Sequence, residues 1–148
     1  LDNHIILAGE GPIADNTARE LNGRKLSFVR IRSQAHAARS PSDTDIIGDA
    51  TEETVQQDAG IQRAQMVIAA GDNDGDNAFI TLLAKDLNPE VRVLAVANDI
   101  NAIGRLKLAR ADLVFAPAAV GSRLLANLAE GDRISEEFRD LLEGRENG

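Results

Sequence analysis

Six residues near the start of the chain have the types and spacing best suited to holding a ligand: Gly9-Glu10-Gly11-Pro12-Ile13-Ala14 reads G-x-G-x-x-A. In that pattern the first glycine makes a tight turn and the second lets a phosphate come up against the backbone. The third small residue lets a helix pack closely on a strand. Pro12 suits the first turn of a helix, where its missing N–H breaks no intrahelical bond, but it is also one donor fewer for a phosphate. Gly9, Gly11, Pro12 and Ile13 are therefore the first group of candidate ligand-binding residues. The pattern is short, so its meaning rests on what surrounds it.

Three further stretches could complete such a site. A nicotinamide dinucleotide with an unmodified ribose calls for a carboxylate at the end of the second strand. Here that region reads Arg30-Ile31-Arg32-Ser33, without an acid. Arg30, Arg32 and Ser33 suit an added phosphate, or else the two arginines form a solvated strand edge. Asp49 and Ala50 are placed to meet an adenine edge, and Ala69, Ala70 and Gly71 the far side of the ligand. Asp72-Asn73-Asp74-Gly75-Asp76 begins like a calcium loop. However, its glycine falls at the fourth place instead of the sixth, and Leu83 stands where a bidentate glutamate belongs. Asp74 and its neighbours are expected to cap the following helix, where negative charge is favourable. His4 and His36 lie in unrelated contexts, cysteine is absent, and no hydroxyl nucleophile has a histidine partner in the sequence. No catalytic residue and no metal ligand is assigned.

The elements that would position these residues alternate regularly. His4–Ala8 is a short aliphatic run suited to a strand buried on both faces. A helix follows to Asn22-Gly23, then strands at Leu26–Ile31 and Ile46-Ile47 separated by a short helix and a loop reaching Thr44. Thr51 opens a helix with a plausible capping box, ending near Ala59. The second half repeats the rhythm, with strands at Met66–Ala70, Val91–Ala97 and Leu113–Ala116. Helices are expected at Asn77–Leu87, Ile100–Ala109, Ala118–Ala129 and, as an amphipathic tail, Ile134–Leu142. Strand-helix alternation with short connections favours an α/β fold in which one doubly wound parallel sheet of six strands runs in the order 3-2-1-4-5-6. Residues 1–130 are expected to form one domain and residues 131–148 a helical tail.

Composition narrows the function. The 148 residues carry 24 acidic against 16 basic side chains, a formal net charge of -8, with no basic block. A nucleic-acid or anionic-membrane surface is disfavoured. Trp and Tyr are missing and Phe occurs four times, so stacking platforms for single strands are lacking. No apolar run approaches the roughly 18 residues of a membrane span. The expectation is a soluble, cytoplasmic chain without direct membrane insertion. Its start at Leu1, without methionine, suggests a piece of something longer.

An ordered series of motifs then points to a family. Ile47-Gly48-Asp49-Ala50-Thr51 is followed by Ala59-Gly60-Ile61 with Ala64, and by Val67-Ile68-Ala69. Asp74 and Asn77 come ahead of Phe79-Ile80-Thr81-Leu82-Leu83-Ala84-Lys85 and Asn88-Pro89. Ala111-Asp112-Leu113-Val114, Pro117 and Gly121–Ala126 complete the series. From about Asn3 to Ala129 the chain resembles the RCK family, also called the TrkA N-terminal or KTN domain. The resemblance implies a Rossmann-type domain on the cytosolic side of a potassium channel or transporter. It also implies a homodimer or a higher ring that converts ligand binding into a pull on a membrane pore. Ala118–Ala129 would be the helix that crosses to a second lobe.

Departures from the family pattern shape the ligand expectation. Arginine stands where an acid is usual at Arg30 or Arg32, and Val96 stands where many nucleotide-binding members carry arginine. Ala70, Val96 and Asn98 fall where a calcium-gated relative places its carboxylates, so no metal is expected there. An adenine nucleotide, AMP, ADP, ATP or NADP(H) before NAD, is the expected ligand of a sensor that is not an enzyme. Two alternatives stand beside it: an NADP-dependent oxidoreductase fragment lacking its substrate domain, and a ring-assembly module with an empty pocket.

Overall fold

A computed structural model of the chain describes residues 1–39, 42 and 45–145. The expected loop at residues 40–44 therefore lies largely outside the described residues. The strands are β1 (Ile5–Ala8), β2 (Phe28–Arg32), β3 (Asp45–Ile47), β4 (Met66–Ala69), β5 (Arg92–Val96) and β6 (Leu113–Phe115). They form one sheet in the order β3-β2-β1-β4-β5-β6, parallel throughout. The helices are α1 (Pro12–Gly23), α2 (Gln34–Arg39), α3 (Glu53–Asp58), α4 (Asp74–Leu87), α5 (Ile103–Leu108), α6 (Pro117–Ala129) and α7 (Glu136–Leu142). The sheet order is the one the alternation implied: every crossover must return to a parallel strand by a right-handed path, which leaves few arrangements.

The chain divides into two compact units, Leu1–Pro117 and a second that begins at Ala118. The first unit holds the sheet. Alternation along the strands sends Ile5 and Leu7 to the face covered by α1, where they form a core with Ala14, Leu21, Phe28, Ala70 and Val96. Ile6, Val67 and Val93 point to the opposite face and are essentially fully buried. α4, which supplies buried Ile80 and Ala84, packs on β4 and β5. In the second unit, Ser135 caps α7 by accepting the Phe138 N–H at 3.1 Å.

Two local expectations are corrected. Thr51 does not cap α3: the residue before that helix is Glu52 and makes no side-chain cap bond. The Thr51 hydroxyl and N–H instead both go to Asp49 Oδ1, at 2.7 and 2.9 Å, closing a tight turn after β3. Helix α4 starts three residues earlier than the apolar periodicity suggested, because its first turn, Asp74-Gly75-Asp76, carries no apolar side chain to mark it. Its cap is Asn73, whose side chain accepts the Asp76 N–H at 2.8 Å. Asp74 and Asp76 lie in that first turn, where the helix dipole favours them, but Asp74 spends its carboxylate elsewhere. It accepts the N–H groups of Asn98 and Asp99 at 2.7 and 2.9 Å and so ties α4 to the loop after β5. Burial opposes its ionisation, but these bonds prevail and hold its carboxyl below the usual range.

Candidate functional site

The strand order reverses between β1 and β4, and the loops that leave their carboxyl ends must separate toward opposite faces. A cleft of about 480 Å³ opens there, lined by Gly9, Glu10, Arg32, Ser33, Gly48, Asp49, Ala50, Gly71 and Asn77 among others. Its size falls within the range of small-molecule sites.

Two side-chain-free positions build its walls. Gly9 has φ +130°, and a Cβ there would stand 2.3 Å from the Gly71 nitrogen. The loops after β1 and β4 thus touch backbone to backbone, which only glycine permits. At Gly48 an added Cβ would fall 2.8 Å from Val55 Cγ2. Below them Asn77, fully buried, accepts the Gly71 N–H at 3.0 Å and donates to the carbonyls of Gly71 and Val96, both at 2.9 Å. All the hydrogen bonds a primary amide makes here hold the floor of the cleft in place. Gln56 braces the other side with its Nε2 alone, donating to Ala50 O at 2.8 Å and Ile80 O at 3.2 Å.

Of the residues expected from the sequence, Gly9, Arg32, Ser33, Asp49, Ala50 and Gly71 line this cleft together. Gly11 stands beside it, with φ +114° and the Asp72 side chain as its neighbour. Pro12 and Ile13 line a separate groove with Thr17 and Leu21. Ala69 and Ala70 are buried beneath the cleft as part of the core and do not line it.

The two arginines are not a solvated edge. Arg30 and Arg32 are 6% and 4% exposed, beneath α1 and α2. A buried guanidinium needs a carboxylate partner, and each has one. Arg32 donates from Nε and Nη2 to Asp45 Oδ2, with Nε at 3.0 Å. Its Nη1 lies 3.2 Å from His36 Nδ1. Arg30 donates to Asp15 and to the Gly9 carbonyl, the latter at 3.3 Å. His36 Nε2 reaches Asp15 Oδ1 at 3.1 Å and links the two pairs. Arg30 belongs to a second cleft of about 450 Å³ between α1 and α2, and Arg32 borders both.

One functional candidate escaped the sequence reading. Glu10, the variable position of the G-x-G turn, turns its carboxylate to the end of β2 and accepts the Ser33 N–H. Burial opposes its charge, but the bonds from Ser33 together with the nearby His36 and Arg30 hold its carboxyl below the usual range. A motif that reads only the glycines passes over it. The only signal was its charge at a position the pattern leaves open.

The TrkA-N domain model matches residues 5–117, which are the sheet unit almost entire. The chain belongs to the TrkA-N family. This TrkA-N domain is 30% identical over 143 residues to the voltage-gated potassium channel Kch of Escherichia coli (strain K12), covering 92% of the chain and 34% of Kch. It thus spans about a third of that relative. Among solved structures it resembles the GsuK channel bound to NAD, with 34% identity and a TM-score of 0.75 over 87% of the chain and 23% of that structure. GsuK bound to ADP matches with 34% identity and a TM-score of 0.74, over 86% of the chain and 34% of that structure. Among the described residues no helix is long and apolar enough to cross a membrane, and no group of three or more His, Cys, Asp or Glu could hold a metal ion.

Proposed function

We propose that the chain is a regulatory, ligand-sensing domain of a potassium channel or transporter, working on the cytoplasmic side and binding an adenine nucleotide in the cleft at the ends of β1, β2 and β4. One observation carries this reading. The cleft lies where the strand order reverses and is walled by glycines whose backbones could not approach so closely with any side chain. Relatives that are potassium channels, and GsuK structures with NAD and with ADP, support it. We read the chain as a sensor and not as an enzyme, a reading that its similarity to potassium channels supports.

Regulation through such a cleft requires that the ligand bind two arrangements of the assembled protein unequally. The proposed assembly is a homodimer or a higher ring. The α1 face of β5 and β6 leaves Leu113 and Phe115 58% and 47% exposed, an apolar strip suited to another subunit. Calorimetry with AMP, ADP, ATP, NAD(H), NADP(H) and divalent cations, paired with sedimentation of the chain with and without ligand, tests the proposal. Saturable binding of an adenine nucleotide that alters self-association is expected. Indifference to every nucleotide would overturn it.

A further inference from the structure

The chain lacks an acid at the end of β2, yet a carboxylate lies beside that strand end. Glu10 reaches across from the loop after β1, and its oxygen accepts the N–H of Ser33, the first residue past the strand. Each carboxylate oxygen has two acceptor lone pairs, so the bonds to Ser33 leave acceptors for a ligand in the cleft that Glu10 also lines. Arg32, one of the two arginines that stand where an acid is usual, is committed to Asp45 and His36 beneath α2. The cleft is lined by four carboxylates, of Glu10, Asp49, Asp72 and Asp76, against that single guanidinium.

From this placement we infer that Glu10 is the residue that reads the ribose: it accepts from the free 2′- and 3′-hydroxyls of an adenine-side ribose and rejects a ribose carrying a 2′-phosphate. The inference rests on the nucleotide reading of the cleft. It also reverses the ligand order that two arginines suggested. A carboxylate welcomes a neutral diol as a pair of donors, whereas a 2′-phosphate brought to the same place meets like charge. The one guanidinium that lines the cleft, Arg32, is already paired with the buried Asp45 carboxylate. The geometry restores the logic of dinucleotide recognition, an acid against a diol, from a different strand end.

Calorimetry of the chain with NAD+ against NADP+, which differ only in the 2′-phosphate, and with ADP against 2′-deoxy-ADP tests this. Wild-type chain should bind NAD+ at least about tenfold more tightly than NADP+, and ADP about tenfold more tightly than its 2′-deoxy analogue, the worth of one hydrogen bond to a charged group. Glu10→Gln keeps the shape and should erase most of both preferences. Glu10→Arg should invert the NAD+/NADP+ order. Thermal melts of each variant establish that it folds, and the 2′-deoxy comparison on wild-type chain needs no variant. Equal binding of NAD+ and NADP+ by wild-type chain, or ratios unchanged in Glu10→Gln, would overturn the role of Glu10 while leaving the cleft a nucleotide site. Failure of wild-type chain to bind any of the four would overturn both.

Discussion

The α1 face of the sheet changes character from one side to the other. On β2 it presents Phe28, Arg30 and Arg32, and two helices cover them. On β5 and β6 the same face presents Leu94, Leu113 and Phe115, and the last two stand largely exposed. Charge is thus buried where apolar residues would be expected, and apolar surface is exposed where charge would be expected. The inversion makes sense once partners are counted. A buried guanidinium is tolerable when a carboxylate is paired with it, as Asp45 is with Arg32 and Asp15 with Arg30. An exposed apolar strip is tolerable when another surface is available to cover it. The first half is closed from within, and the second leaves apolar surface that the proposed assembly would cover.

Breaking the closed half should have the largest effect. In Asp45→Ala the Arg32 charge stays buried without its main partner, and a loss of about 3–5 kcal/mol is expected in denaturant unfolding. A loss below about 1 kcal/mol would mean that Arg32 escapes to solvent and that the half is less closed than its burial indicates. Next comes the seam between the halves. Gly9→Ala forces a Cβ into the backbone of Gly71 at a positive φ and should cost about 2 kcal/mol or more, with loss of nucleotide binding. Retention of wild-type affinity and stability would show that the two loops can part freely.

The open half should respond in association more than in folding. Phe115→Ser removes exposed apolar surface, so the melting temperature should change little while self-association weakens about tenfold, read by sedimentation. Unaltered association would place the interface elsewhere. The smallest effect contrasts the two ion pairs. Lys85 Nζ lies 2.8 Å from Asp112 Oδ2, but this pair is 11% and 39% exposed where Arg32–Asp45 is 3% and 5%. The hydrogen bond from Lys85, against some burial and with the Val93 N–H in support, holds the Asp112 carboxyl below its usual range. A carboxyl lowered on folding contributes stability above its unfolded pKa near 3.8, which is lost as pH falls through the folded value. Asp112→Asn should therefore cost about 0.5–1 kcal/mol at pH 7 and progressively less below pH 4. A cost that stays constant with pH would assign the effect to packing.

Architecture was legible in the sequence because its signals are local. Short aliphatic runs such as Ile5–Ala8, glycine turns and capped helices each declare themselves within a few residues. Handedness then restricts how such pieces join. Start points were less legible: the polar first turn of α4 hid the helix's beginning, and Thr51 resembled a cap while serving Asp49. The cleft was half legible. Gly9, Asp49 and Gly71 could be named from motif and position, and they line it together. Asn77, which braces the floor, belongs to a motif but had no assigned task until its three bonds were in view.

By itself, then, the order of residues determined that six parallel strands would form and which turn would line the cleft, because periodicity, glycine geometry and chirality act over short stretches of chain. Only the tertiary structure decided what the charges do. Arg32 and Asp45 are thirteen residues apart, and Glu10 and Ser33 twenty-three. Whether an arginine greets a ligand or a neighbouring aspartate, and whether a glutamate in a turn points outward or across to the next strand, depends on which groups the fold brings within a few ångströms. Electrostatic pairing is decided by distance in space, and sequence spacing does not record it.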